Sequence, residues 1–326
     1  MSVGLSSLQQ VLADHRQRPE SRAYSCCFLP IPKRATTSLP KTLVTRDESK
    51  HYCRIAATWE ASLANAHITV LGARGSIPVS GDYFARYGGA TTSFAIVVDD
   101  LTVAFIDAGT GLLDVGVRGL TLAPSVGVFL THYHWDHTQG LSMMEDMWRG
   151  SCDVCVWGPD DPKATLERAI SPPLFPVSIV DVPRIRFATT DGPVEIAGIS
   201  ISPFAVNHPQ GACGYRIEGP SRTVVIATDH EAGTDMDEGI VDAARGADVL
   251  IHDAQYLAEE LASHAGWGHS SCEQAVAAAR ASGVSELLLT SHDPRRTDDE
   301  IDGMVERARS MFTASDAARP GLEIML

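Results

Sequence analysis

Three imidazoles and a carboxylate fall within six positions in the segment Thr131-His132-Tyr133-His134-Trp135-Asp136-His137. Imidazole nitrogens and carboxylate oxygens are ordinary ligands of divalent cations, and this density on one short segment points to metal-assisted chemistry rather than a polar surface turn. His132 and His134 are two apart and can approach one ion from the same side. Asp136 and His137 lie where a tight turn aims them at a second point nearby, so two neighbouring ions are expected.

Such ligands need rigid supports, and the surrounding sequence supplies them. The segment follows Val126-Gly127-Val128-Phe129-Leu130, a β-branched and aromatic run that reads as a buried strand. Further strands are expected at His67 to Leu71, Ser93 to Val98, Thr102 to Ile106, Ile199 to Val206, Val224 to Thr228, Leu287 to Ser291 and Leu322 to Leu326. Helices come later in the chain. Ser270-Ser271-Cys272-Glu273 reads as a capping box opening a helix over Gln274 to Ser282, and Thr297-Asp298-Asp299-Glu300 as another, with Ile301, Met304, Val305, Ala308 and Phe312 on one face.

The HxHxDH pattern resembles the signature of the metallo-β-lactamase superfamily. That resemblance implies an α+β fold, an αββα sandwich of two mixed β-sheets flanked by helices, with further ligands on separate strand-end loops. In family order these are His208, Asp229 and His292, with Asp107 bracing the histidine loop. One ion would take His132, His134 and His208, the other Asp136, His137 and His292, with Asp229 bridging. Flavodiiron members of the superfamily tend to carry Glu where His134 stands, so hydrolysis is expected rather than redox chemistry. Imidazoles favour Zn2+, with Mn2+ or Fe2+ as alternatives. A hydroxide held between two such ions is nucleophilic at neutral pH.

A second constellation points to phosphodiesters. Ile251-His252-Asp253-Ala254 and Gly268-His269-Ser270 resemble the His-Glu-Ala-Thr and Gly-His-Ser/Thr elements of ribonuclease Z and its relatives. The resemblance implies that Asp253 orients His269 as a candidate general acid. Gly72-Ala73-Arg74-Gly75-Ser76 and Arg86-Tyr87-Gly88-Gly89-Ala90 resemble the opening segments of the ribonuclease Z-like and phosphoribosyl cyclic phosphodiesterase-like subgroup, and Arg74 and Ser76 become candidate phosphate donors. The catalytic residues expected are therefore Asp136, Asp253 and His269.

Charge and spacing then narrow the substrate. The formal charge is −15. The first 65 residues hold nine Lys/Arg against five Asp/Glu, a formal +4, which leaves −19 for the remainder. Affinity for a nucleic-acid backbone comes from cationic phosphate contacts, so nucleic acid is disfavoured as a partner. Ribonuclease Z grips tRNA with a long arm between the matches to His208 and Asp229, but here that interval is 21 positions, filled by two strands. A small phosphodiester, such as a cyclic nucleotide or a cyclic phosphoribose, is the expected substrate; a carbon ester, lactone or lactam, or RNA processing without the arm, are the alternatives.

Residues 1–65 read as a poorly ordered basic extension with a short helix near Leu5 to Asp14, and 66–326 as the catalytic domain. Seven scattered cysteines favour a reducing compartment, so the cytoplasm is expected; no apolar run suggests a membrane span, and a homodimer is left open. Cys152-Asp153-Val154-Cys155 is read as strand packing rather than a zinc or redox pair. Among the other histidines, His230 and His264 are read as structural or pocket-lining and His252 as core. Trp267, between Gly266 and Gly268, is read as packing, with base stacking or a flap as the alternative.

Overall fold

The computed structural model describes residues 65–326, so the basic extension and its expected helix lie outside the described residues. Alternating apolar runs form two seven-stranded sheets. The strands in chain order are Ala66–Gly72 (β1), Ser93–Val98 (β2), Leu101–Ile106 (β3), Thr121–Phe129 (β4), Asp153–Gly158 (β5) and Ile185–Thr189 (β6), then Val194–Ile196 (β7), Ile199–Val206 (β8), Ala212–Glu218 (β9), Thr223–Ala227 (β10), Val249–Asp253 (β11), Glu286–Thr290 (β12), Ser315–Ala317 (β13) and Glu323–Met325 (β14). The first sheet is ordered β14-β1-β2-β3-β4-β5-β6 and the second β13-β12-β11-β10-β9-β8-β7. Each is mixed: β3 through β6 and β10 through β13 pair in parallel, and the remaining neighbours are antiparallel.

The period-two alternation of the second sheet explains the layering. Val224, Ile226, Val249, Ile251 and Leu288 face the first sheet and complete the core between the two. Their neighbours Val225, Ala227, Leu250, Leu287 and Leu289 face outward and are covered by the helices Met236–Ala244, Cys272–Ser282 and Asp298–Met311. A helix at Pro162–Ala169, capped by the Asp161 carboxylate on the Ala164 N–H, packs against β5 and β6 of the first sheet. This is the expected αββα sandwich. Cys152 and Cys155 are buried around β5, as strand packing predicts.

The first capping box sits one residue later than expected. Ser271 accepts from the Gln274 N–H, and the Gln274 side chain returns to the Ser271 N–H. Ser270 is drawn away because its hydroxyl donates to the His230 carbonyl. The second box, Thr297 with Glu300, is as expected.

Parallel pairing has a consequence for chemistry: the C-terminal ends of β3 and β4 lie together, as do those of β10, β11 and β12. Two successive antiparallel steps make β8 run in the direction of β10, so its end joins the same edge. Asp107, His132, His208, Asp229 and Asp253 all stand at these ends. Among the described residues no helix is long and apolar enough to cross a membrane.

Candidate metal centre

The strand ends bring three overlapping groups of ligand atoms together, each group within 4.8 Å: His132, His134 and His208; His132, His137 and Asp229; and Asp229, Asp253 and His269. Asp229 belongs to two of them, and its Oδ2 lies 3.1 Å from His137 Nε2, 3.7 Å from His132 Nε2 and 3.8 Å from His208 Nε2. The Asp136 Oδ2 is 3.4 Å from the same His137 nitrogen and accepts the Ser76 backbone N–H at 2.7 Å.

The outer contacts determine which nitrogen of each ring is available. Asp107, fully buried, accepts the Thr131 N–H and hydroxyl on one oxygen, and its Oδ2 faces His137 Nδ1 at 2.8 Å. That contact places the His137 proton on Nδ1 and turns Nε2 toward Asp136 and Asp229. Thr131 Oγ1, its proton committed to Asp107, can accept from His132 Nδ1 at 3.1 Å. His208 Nδ1 donates to the Gly268 carbonyl at 2.9 Å, and His134 Nε2 faces the Gln210 carboxamide oxygen at 3.0 Å. Four imidazoles thus have one nitrogen engaged outward and the other pointing inward.

That arrangement fits a cation. The inward His132 Nε2 is buried without a hydrogen-bond partner, and the inward nitrogens of His134 and His208 face each other at 3.1 Å. With their partners satisfied in this way, the latter two present lone pair to lone pair unless a positive ion stands between them. Burial, followed by neighbouring histidines, holds the His132 pKa well below its usual value; burial also lowers that of His208. His137 behaves differently: burial opposes its charge, yet Asp229, Asp107 and Asp136 raise its pKa well above the usual range. A proton and a divalent cation compete for the same Nε2.

Asp253 treats His269 as Asp107 treats His137. Its Oδ2 lies 2.6 Å from His269 Nδ1, and its carboxylate also accepts backbone N–H groups of His230, Gln255 and Ser270. Burial disfavours the His269 cation, but Asp253 and Asp229 raise its pKa to about 9.

Two expectations need correction. His292 is not turned into the cluster: its Nε2 donates to the Ala318 carbonyl at 2.9 Å and its ring packs edge-on against Tyr87. Its pKa is lowered to about 4, chiefly by burial. The imidazole beside Asp229 on that side is His269. Arg74, proposed as a phosphate donor, is fully buried and its guanidinium donates to the carbonyls of Gly88, Asp293 and Arg296. It ties three loops together rather than reaching solvent. Ser76 is exposed and meets the centre through its backbone N–H.

Several contributors carry no signature of their own in sequence. Thr131, Gln210 and Gly268 orient ligand rings, and the Ser291 hydroxyl donates to Asp229 Oδ1 at 3.1 Å. A Cβ on Gly268 would lie 2.2 Å from His208 Nδ1, and its φ of +85° also favours glycine. Ser76, Asp107, Asp229 and Ser291 all adopt left-handed backbone at φ 51° to 62°, the concentration of unusual conformations found where function overrides local preference. His230 and His252 are structural: His230 is held by the Asn207 N–H and Asp237, and His252 by the Asp253 carbonyl.

Residues 102–292 match the family described as Beta-lactamase superfamily domain. The chain belongs to the beta-lactamase superfamily. Membership, with the cluster above, makes it a metal-dependent hydrolase whose fold implies divalent metal ions. The superfamily chain is 25% identical over 248 residues to Ribonuclease Z of Ignicoccus hospitalis, covering 61% of this chain and 80% of that protein. The crystal structure of the metallo-beta-lactamase fold protein YhfI from Bacillus subtilis superposes with a TM-score of 0.63 at 21% identity, covering 79% of this chain and 98% of the other. A diphosphatase of the PhnP family superposes at 0.61 with 18% identity, covering 80% and 98%.

Proposed function

We propose that this hydrolase is a dinuclear phosphodiesterase for a small phosphodiester. The observation that carries the metal centre is the inward convergence of singly engaged imidazoles on Asp229. His132, His134, His208 and Asp229 would hold one ion; Asp136, His137, His269 and the same Asp229 would hold the other. His269 replaces His292 in this set because it alone has its outer nitrogen braced by a carboxylate as His137 does. An imidazole-rich donor set suits Zn2+ best. Such ions, when bound, would supply Lewis acidity that activates water at neutral pH and offsets charge developing on a phosphoester.

The chain's own residues set up the rest. Asp107 and Asp253 hold the His137 and His269 protons on Nδ1 and keep the opposite nitrogens directed inward. The Ser76 N–H neutralises part of the Asp136 charge and fixes that carboxylate at the mouth of the centre. A small substrate is supported by the hairpin β9–β10, which joins the His208 and Asp229 loops with no inserted arm, and by the −19 carried by residues 66–326. These residues are the catalytic unit in this reading, and the scattered cysteines, which favour a reducing compartment, support the cytoplasm. The named relatives, a ribonuclease and a diphosphatase, are compatible with attack at phosphorus.

A hydrolysis panel with metal-loaded protein tests this reading, comparing cyclic nucleotides, a cyclic phosphoribose, bis(p-nitrophenyl) phosphate, a lactone, a β-lactam and a precursor tRNA. Cyclic phosphodiesters are expected to lead. Preference for the lactone or lactam, or for the tRNA, overturns it.

A further inference from the structure

Beside the metal centre, Gly266-Trp267-Gly268 forms an arch held by one carboxylate. Glu231 accepts the Gly266 N–H on Oε1 at 2.7 Å and the Gly268 N–H on Oε2 at 2.8 Å. Glu231 is itself tied to the loop carrying His208: its N–H donates to the Asn207 carbonyl, and the Asn207 carboxamide donates back to the Glu231 carbonyl. The Gly268 carbonyl receives the His208 Nδ1 proton. The arch is therefore fixed at both of its glycines to the loop that carries His208, not a loose loop.

Between the two clamped glycines stands an indole that is 59% exposed. A tryptophan that served packing would bury most of its large apolar surface. This one meets His264 edge-on at 4.9 Å, and His264 stacks on the buried Tyr256 at 4.2 Å, which is edge-on to His269 at 6.0 Å. A row of rings thus connects the exposed indole to the imidazole beside Asp229. Two residues of chain span at most about 7 Å, so the Trp267 backbone lies within that distance of His269.

We propose that this arch is a substrate-binding element, with the Trp267 indole stacking on the planar heterocycle of a base-bearing phosphodiester. The inference rests on the phosphodiesterase reading and names the substrate class of the same centre. A rigid, exposed π face next to a cation-binding cluster matches the two ends of a mononucleotide, whose base stacks and whose phosphate seeks positive charge. A longer strand would bring further phosphates against an acidic domain. The single indole provides a place for one base.

The test uses the full chain loaded with metal, as wild type, Trp267→Ala and Trp267→Phe. Turnover of 3′,5′-cyclic AMP, a base-free cyclic phosphoribose and glycerophosphocholine is measured, and calorimetry follows binding of AMP and ribose 5-phosphate. Loss of one base stack corresponds to a fall of about 5- to 150-fold in affinity. Trp267→Ala is expected to raise KM for cyclic AMP and Kd for AMP by that factor, with kcat nearly unchanged, and Trp267→Phe to recover much of it. Metal content, base-free turnover and ribose 5-phosphate binding should stay within twofold. Equal losses with and without a base mean that the indole only supports the loop and overturn the proposal. So do a larger loss on glycerophosphocholine, which would mark a cation-binding indole, and an absence of AMP binding to wild type. Failure of wild type to cleave any phosphodiester ends the phosphodiesterase reading instead; AMP calorimetry still decides whether the arch binds a base.

Discussion

The two sheets build their sides of the proposed metal centre in opposite ways. From the first come His132, His134, Asp136 and His137, four ligand-type side chains on one continuous segment after β4. From the second come His208, Asp229 and His269, each on a different loop. A contiguous segment shares one backbone, so a single brace, Asp107 with Thr131, serves both His137 and His132, while Gln210 faces His134 and the Ser76 N–H holds Asp136. Dispersed ligands need separate supports, and they have them: the Gly268 carbonyl for His208, Ser291 for Asp229 and Asp253 for His269. Precision on the second side is assembled from outer contacts, and damage there should be correspondingly specific.

The largest expected effect removes the residue both sides share. Asp229→Ala should lose most of the bound metal and reduce turnover by at least about 10³-fold, the scale on which removal of a key electrostatic group acts. Elemental analysis beside kinetics checks this. Retention of the wild-type metal content would show that Asp229 joins nothing.

Next in size is a contrast between two histidines of the second side. His269→Ala should release one ion and lower turnover by at least about 10²-fold, since losing even a group that only supports a ligand costs roughly 10–100-fold, whereas His292→Ala should keep its metal and lose stability by about 1–3 kcal/mol, because the Ala318 carbonyl is left buried without its donor. Metal content and thermal unfolding of both variants decide the matter. If His292→Ala is the metal-deficient one, the assignment of the second ion reverts to it.

The sequence made the first side legible and blurred the second for a physical reason. HxHxDH declares itself because adjacency in the chain already implies adjacency in space. The apolar runs likewise marked the strands, and their pairing direction then dictated which ends meet. His269 and His292 each follow a plausible element, and nothing local shows which ring turns inward. That choice depends on a long-range partner, Asp253 for one and the Ala318 carbonyl for the other. Arg74 misled in the same way: a Gly-flanked arginine suggests a phosphate donor until the carbonyls surrounding it are known.

The smallest expected effect is a pH profile of the metal-free protein. His269, raised to about 9 against the opposition of burial, stabilises the fold fully below its unfolded pKa of about 6.5 and loses that contribution as pH rises through about 9. His292 and His252, both lowered to about 4 by burial, act oppositely: the unfolded chain takes up their protons first, so stability falls as pH drops from about 6.5 toward 4, by roughly 3 kcal/mol for each. Denaturant melts of metal-stripped protein from pH 4 to 10 should show both flanks. With His269→Gln the alkaline flank should shrink to the part that His137, also raised by its carboxylates, still supplies, while the acid flank remains; loss of the acid flank instead would mean that the two histidines have been assigned the wrong surroundings.

The left-handed backbone at Ser76, Asp107, Asp229 and Ser291 bears on how this protein can be improved or can evolve. Each such residue costs on the order of 1–3 kcal/mol, which glycine would largely relieve. Thermostability selection that ignored activity would therefore be drawn to these four positions, and two of its gains would delete a carboxylate from the centre. At Ser291 the relief would remove the hydroxyl that holds Asp229. Only at Ser76, whose contribution is a backbone N–H that glycine also possesses, are stability and catalysis not in conflict.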